Sequence, residues 1–275
     1  MTTQAERAAR FTALHQREGA FLIPNPWDAG SARLLEGFGF EALATTSSGF
    51  AYSLGRLDGQ VSLEETMAHC RALCDATDLP VSVDLENGYG DDPEAAAKAI
   101  ALAARAGVVG GSIEDYSGKD SGAIYDFPLA VERVTAAVEA ARALPFPFTL
   151  TARAENLIRG RDDLDDTIRR LQAFERAGAD VLYAPGLTTL DQVRRVTGSV
   201  GKPVNVLGPL VEGATLEKLA RAGAKRVSIG GALARAALLP LLDAAAEMHE
   251  HGSFAWTSKL APSATIERLF LQRGR

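Results

Sequence analysis

Two carboxylates stand where a buried strand should end. In VSVDLENGYGDD (81–92), Val81, Val83 and Leu85 alternate as a buried strand would. Asp84 and Glu86 interrupt that run, and Gly88-Tyr89-Gly90 follows at once. Other strand-like runs close on acids too: Glu114 and Asp115 in VGGSIED, Glu155 beside Arg153 in FTLTARAE, and Asp58 on the stretch beyond Thr45–Gly49. A single acid at a strand end can be a helix cap. Acids at four neighbouring strand ends repel and raise one another's pKa values, which a divalent cation would relieve. All-oxygen ligation with no nearby His or Cys favours Mg²⁺, with Mn²⁺ possible, over zinc. Mg²⁺ takes one or two carboxylates directly and leaves room for waters and substrate oxygens. Arg153 on the same mouth suits a carboxylate or phosphonate.

The elements that must position these groups alternate. Strand-like runs fall at 21–25, 41–47, 81–86, 109–115, 148–155, 180–186, 203–208 and 226–231, and helical patterns such as SLEETMAHCRALCDAT and DLDDTIRRLQAFERAG follow. Several begin at Ser, Thr or Asp and end at Gly. The phrase RAG recurs at 105–107, 176–178 and 221–223, each time just before a strand. Eight such units predict an α/β fold, a (β/α)8 TIM-type barrel over residues 1–252. A doubly wound open sheet is the runner-up, but the first strand ends in Asn25-Pro26-Trp27-Asp28 without a glycine-rich phosphate loop. Residues 253–275 form a C-terminal helical extension. Its Phe254, Trp256, Leu260, Leu269 and Phe270 need burial, which predicts packing on a partner subunit.

Barrel active sites lie at the C-terminal strand ends. The sixth end offers Tyr183, the seventh Asn205, and the eighth Gly230-Gly231. Lys98, Lys119, Lys202, Lys218, Lys225 and Lys259 all lie outside strands, which argues against a Schiff-base aldolase. The first end offers Trp27 and Asp28; Asp115 reads as a supporting or structural acid, and Glu155 as the partner of Arg153 or another base. His15, His69, His249 and His251 sit in helical or terminal segments and are not read as ligands.

At 275 residues with 47% hydrophobic and 23% charged, the chain can build one large core. A net charge of −6 without a basic block argues against nucleic acid and anionic membranes. Cys70 and Cys74, four apart on a helix, suit reduced thiols. No signal peptide or run of about 18 apolar residues occurs, so a cytoplasmic protein is expected.

The segments TSSGF…GRLDG, VDLENGYG, SIEDYSGK, TARAENLIRG and PVNVLGP, in this order and spacing from Asn25 to beyond Pro209, resemble the isocitrate lyase/phosphoenolpyruvate mutase superfamily. The resemblance implies a helix-swapped (β/α)8 barrel in a homo-oligomer, a dimer of dimers. It implies Mg²⁺ held directly by Asp84, with Asp58, Glu86 and Glu114 on the metal's waters. Arg153 matches a substrate-contacting arginine, Thr46 and Ser47 match the segment receiving a substrate carboxylate, and Asn205 matches a substrate-binding position of the lyase branch. Two departures stand out: Glu86 replaces the family's usual Asp, and the gating loop SGKDSGAIYDF keeps Lys119 but has no Cys and no His. Ser121 stands near a hydroxyl residue of phosphonopyruvate hydrolase, so Lys119 and Ser121 join Arg153 as catalytic candidates.

The expectation is therefore an Mg²⁺-dependent enzyme cleaving or forming a C–C or P–C bond of a small 2-oxo or 2-hydroxy acid through a pyruvate-enolate-like intermediate. The alternatives are a metal-free barrel isomerase binding phosphate at Gly230-Gly231, and a catalytically silent ligand-binding relative.

Overall fold

The computed structural model describes residues 2–118 and 124–272. Eight parallel strands run β1 Phe21–Ile23, β2 Leu43–Ala44, β3 Val81–Asp84, β4 Gly110–Glu114, β5 Thr149–Arg153, β6 Val181–Tyr183, β7 Val204–Leu207 and β8 Arg226–Ser228. Their order is β1-β8-β7-β6-β5-β4-β3-β2, and the backbone N–H of Ala44 donates to Pro24 O at 3.1 Å where β1 and β2 meet. This is the expected TIM-type barrel, nearly closed; the open-sheet alternative falls. The strands are shorter than the apolar runs suggested. The second run ends as a strand at Ala44, because Thr46 caps a short helix, α3 Ser47–Ser53, by accepting from the Gly49 N–H. Glu86 lies beyond its strand with φ 50°.

Around the barrel stand α2 Ala29–Gly37, α4 Leu63–Ala76, α5 Pro93–Arg105, α6 Phe127–Arg142, α7 Leu164–Ala177, α8 Leu190–Thr197, α9 Leu216–Arg221 and α10 Ala232–His251. Helix α1 Gln4–Gln16 precedes β1, and α11 Ser263–Leu271 ends the described chain. Local chemistry sets their ends. Ser62 with Glu65 and Thr189 with Gln192 form reciprocal capping boxes. The RAG glycines Gly107, Gly178 and Gly223 adopt φ of 100°, 104° and 91°, a conformation costly for any side chain, so each helix stops there and turns into its strand. Asp28 is the N-cap of α2.

Between strands and helices the core is apolar. Alanines 96, 99 and 103 let α5 lie close to Val83 and Leu85, and Leu171 and Phe174 of α7 are fully buried. The C-terminal extension departs in part from expectation. Helix α11 packs on α2 of its own chain, where Gly37 leaves room for the Leu269 backbone and Arg33 lies over the Phe270 ring at 5.1 Å. Leu269 and Phe270 are thus covered within the chain, while Phe254 and Leu260 remain exposed with Leu239, Leu241 and Leu242 of α10. Both cysteines are free and buried. Among the described residues no helix is long and apolar enough to cross a membrane.

Candidate active site

A cavity of about 230 Å³ opens at the C-terminal strand ends. Its lining includes Thr46, Ser47, Asp58, Asp84, Arg153 and Asn205. A larger groove of about 730 Å³ lies on the other side, against the connections that enter β2 and β3, and holds none of the strand-end residues.

Arg153 is the hub. Its Nη1 donates to Asp84 Oδ1 at 2.8 Å, its Nη2 lies 3.0 Å from Glu114 Oε2, and Nη2 and Nε reach Glu155 Oε1 at 2.8 and 3.0 Å. Burial opposes its charge, but Glu114, Glu155 and Asp84 together push the guanidinium pKa well above its ordinary value. Glu155 is fully buried and serves as the expected partner of Arg153. Behind it, Asp115 accepts from the Glu155 N–H at 2.8 Å and pairs with Arg170 at 3.1 Å, which also holds Asp166. Asp115 is therefore structural.

The four acids proposed from sequence for a metal face this hub. Asp84 Oδ1 accepts from Arg153, from the Glu86 N–H at 3.2 Å and from Ser112 Oγ at 3.4 Å, and among the described residues Oδ2 takes no hydrogen bond. Burial, reinforced by Asp84 and Asp58, pushes Glu86 up to about 7. Desolvation also raises Asp58, against a hydrogen bond from Ser47, and Asp84 adds to the rise. Glu114, 5% exposed, is raised well above the carboxylate range by burial despite Arg153. Among the described residues, no three His, Cys, Asp or Glu side chains close on one point as a metal cage. The donors nonetheless fit Mg²⁺: they are oxygens, they repel one another, and one free Asp84 oxygen suffices for an ion that keeps most of its water.

Thr46 and Ser47 line the cavity at the start of α3, with Thr46 Oγ1 3.2 Å from Ser48 Oγ. Asn205 lines its floor, but both ends of its amide are taken by Arg226 and Ser228. Lys119 and Ser121 lie outside the described residues. Sequence reasoning missed Arg159 and Arg226. Arg159 reaches Glu155 at 3.1 Å and Glu114 at 3.6 Å, and lies 3.6 Å over the Tyr116 ring. Its signal was present in TARAENLIRG, one helical turn and a half beyond Arg153. Arg226 opens a strand rather than closing one, so a search of strand ends passes over it.

A parallel (β/α)8 barrel with carboxylates and an arginine converging at its strand ends is a fold and site of enzymes. Residues 11–249 match the family model described as phosphoenolpyruvate phosphomutase, and the chain belongs to that family, within the phosphoenolpyruvate mutase/isocitrate lyase superfamily. A structure from Burkholderia cenocepacia J2315, provisionally described as a lyase/mutase, is 57% identical with TM-score 0.94, covering 98% of this chain and 97% of that one. The 2-methylisocitrate lyase of Escherichia coli (strain K12) is 30% identical over 202 residues, 70% of this chain and 67% of that protein. A phosphonopyruvate hydrolase in complex with oxalate and Mg²⁺ shares the fold, with TM-score 0.85 at 21% identity over 98% of this chain and 95% of that one.

Proposed function

We propose that this enzyme cleaves a carbon–carbon bond of a small 2-oxo or 2-hydroxy acid in the presence of Mg²⁺, leaving an enolate-like fragment. One observation carries the reading: Asp84, at the centre of mutually repelling carboxylates, lines the cavity and shares its Oδ1 with Arg153, while among the described residues its Oδ2 takes no hydrogen bond. When bound, Mg²⁺ would polarise the substrate's oxo and carboxylate oxygens. Asp84 would hold it directly, and Asp58, Glu86 and Glu114 would orient its waters.

The chain's own groups do the remainder. Arg153 meets the charge that develops on the departing fragment, in a site whose low dielectric strengthens it. Thr46 and Ser47 receive the substrate carboxylate at the start of α3. Lys119 and Ser121, which lie outside the described residues between β4 and α6, are proposed to act on bound substrate. The relatives support the chemistry: one is a 2-methylisocitrate lyase, and a hydrolase of the same fold holds oxalate with Mg²⁺. A second copy would cover Phe254, Leu260 and the leucines of α10, as in a dimer of dimers.

The test is a panel of oxaloacetate, 2-methylisocitrate, phosphonopyruvate and alkylmalates, followed for released pyruvate with Mg²⁺ and then with EDTA. Turnover of one carbon acid that EDTA abolishes and Mg²⁺ restores is expected. Full turnover after metal removal overturns the reading. Conversion of phosphonopyruvate alone would move the bond cleaved from C–C to P–C.

A further inference from the structure

The barrel interior beneath the acids is unusual. Barrels of this type fill their interior layers with branched apolar side chains. Here Ser82, Ser112, Thr151, Asn205, Arg226 and Ser228 face inward. Arg226 is 5% exposed, and among the described residues no carboxylate lies within ion-pair distance of it. Its acceptors are neutral: Nε donates to Asn205 Oδ1 at 2.9 Å, Nη2 to Thr151 Oγ1 at 2.9 Å, and Nη1 faces His15 Nε2 at 3.4 Å. A buried charge without a counter-ion costs several kcal/mol, so its retention calls for a use.

The hydrogen bonds give it a direction. A guanidinium can only donate, so Asn205 must turn its Oδ1 to Arg226 and its Nδ2 outward. Asn205 Nδ2 donates to Ser228 Oγ at 3.0 Å. Ser228 then has one proton to give, and it lines the same cavity as Tyr183, whose phenolate it would favour as a donor. If Ser228 donates to Tyr183 Oη, the tyrosine's own proton is left for the cavity, which Tyr183 lines. The Tyr183 ring also lies under the Arg153 guanidinium, 5.2 Å from ring centre to Cζ. Any phenolate formed there would face two guanidinium groups.

We infer that Tyr183 is the proton donor to the enolate-like fragment, with Arg226, Asn205 and Ser228 as positioning residues that aim its hydroxyl. The inference rests on the carbon–carbon cleavage proposed above. As that bond breaks, its electron pair stays on the departing fragment as an enolate. The Tyr183 O–H bond then breaks, its proton forms a new C–H bond, and the electron pair remains on Oη. The phenolate is held by the Ser228 hydroxyl and the charges of Arg153 and Arg226, and water reprotonates it after product leaves. Burial pushes Tyr183 up to about 12 against the opposing charge of Arg153, so it carries its proton at neutral pH, as an acid must. No cysteine or histidine of the gating loop is required.

The probe is enolpyruvate, generated in situ from phosphoenolpyruvate by a phosphatase, whose conversion to pyruvate is followed by ultraviolet absorbance. Oxalate, a planar dicarboxylate of similar shape, reports separately on the Mg²⁺ site by calorimetry. The full-length protein with Mg²⁺ should bind oxalate and accelerate enolpyruvate conversion. Tyr183→Phe should lose about 100-fold or more of that acceleration with oxalate affinity within about threefold, which also shows that the variant folds. Ser228→Ala should lose about tenfold, as expected for one hydrogen bond to a charged group, and Ser228→Thr should restore it. Acceleration by Tyr183→Phe within about threefold of the parent overturns the inference. So does a parent that binds oxalate with Mg²⁺ yet leaves enolpyruvate conversion unchanged; the metal reading then survives alone. A parent that binds no oxalate with Mg²⁺ refutes the metal reading itself, and this inference with it.

Discussion

The two halves of the barrel mouth are chemical opposites. From β2 to β5 the strand ends bring Asp58, Asp84, Glu86, Glu114 and Glu155 around Arg153 and Arg159. From β6 to β8 the strands bring Tyr183, Asn205, Ser228 and Arg226, with no acid among them. One half has excess negative charge that burial makes costly, and the other has a buried positive charge without an ionic partner among the described residues. Each imbalance would be relieved by something of opposite sign placed between them. A cation on the acidic side and an anionic substrate reaching toward the other side satisfy both. Under the proposed reading the difference also separates labour: charge and metal on one side, delivery of a proton on the other.

The comparison breaks most directly at Asp84. Asp84→Ala removes the oxygen proposed to hold the ion and releases Arg153 from one of its three acids. Turnover on the productive substrate should fall by about 10³-fold or more, near 4 kcal/mol of barrel-mouth stabilisation. Mg²⁺-dependent oxalate binding should vanish in calorimetry while circular dichroism is unchanged. A variant that keeps a tenth of its turnover would place the metal elsewhere.

This acidic half was the part legible in the sequence. An acid at the end of an apolar run breaks the period-2 pattern, and the (β/α)8 alternation says which end of the strand it occupies. The positive half was hidden for a physical reason. Arg226 precedes Val227 and Ser228 in KRVSIG and reads as the polar start of a strand. Only closure of the barrel turns that start into the floor of the cavity, across from Thr151 on β5. His15 was hidden in the same way: it belongs to α1, far from any strand end, and reaches Arg226 only because α1 lies against the barrel's other end. Helix ends, by contrast, were written locally, in the RAG glycines and the Ser62 and Thr189 caps.

Behind the acidic half stands a support whose loss should cost stability first. Arg170 is buried between Asp115 and Asp166 and donates to the Tyr125 carbonyl at 3.0 Å. Arg170→Ala leaves the buried Asp115 without its ion pair, while Asp166 keeps Arg161, Arg169 and Asn156, and removal of one partner from a buried pair costs about 3 kcal/mol or more. Urea denaturation should show that loss. Turnover should fall with it, since Asp115 holds the Glu155 backbone. Stability unchanged within about 0.5 kcal/mol would mean that the network carries no net energy.

Below the positive half, His15 should report on pH. Burial first, and then the charge of Arg226, push its pKa down from 6.5 to about 3. Its Nδ1 meets the Phe11 carbonyl at 2.8 Å, so the neutral ring donates there and offers Nε2 to Arg226. Between about 3 and 6.5 the unfolded chain binds a proton here that the folded chain refuses. Stability is therefore complete above 6.5 and is lost as pH falls. That is one proton, or about 1.4 kcal/mol per pH unit well inside the window. His69, pushed down to about 4 chiefly by burial, adds a slope of the same sign. His15→Gln should be less stable at pH 7 yet show a slope smaller by one proton between pH 5.5 and 4.5. An unchanged slope would mean that His15 takes up its proton in the fold, beside Arg226.

The smallest effect expected concerns the residue that first marked the acidic half as unusual. Glu86 holds φ 50°, a region that Asp and Asn enter more readily than longer side chains. The backbone there is fixed by its N–H to Asp84 Oδ1 at 3.2 Å and by its carbonyl, which accepts from the Glu114 N–H at 3.0 Å. Glu86→Asp keeps the charge, suits the backbone better and withdraws the carboxylate by one methylene. If Glu86 acts on the metal through water, a second water can fill that gap at little cost. Stability should then rise or stay level within about 1 kcal/mol, and Mg²⁺ affinity should change by less than about fivefold, or 1 kcal/mol. A loss of tenfold or more in affinity, with stability preserved, would put the Glu86 carboxylate in direct contact with the ion. The acidic half would then hold its metal by two carboxylates instead of one, and the extra methylene of Glu86 would be what lets the second one reach.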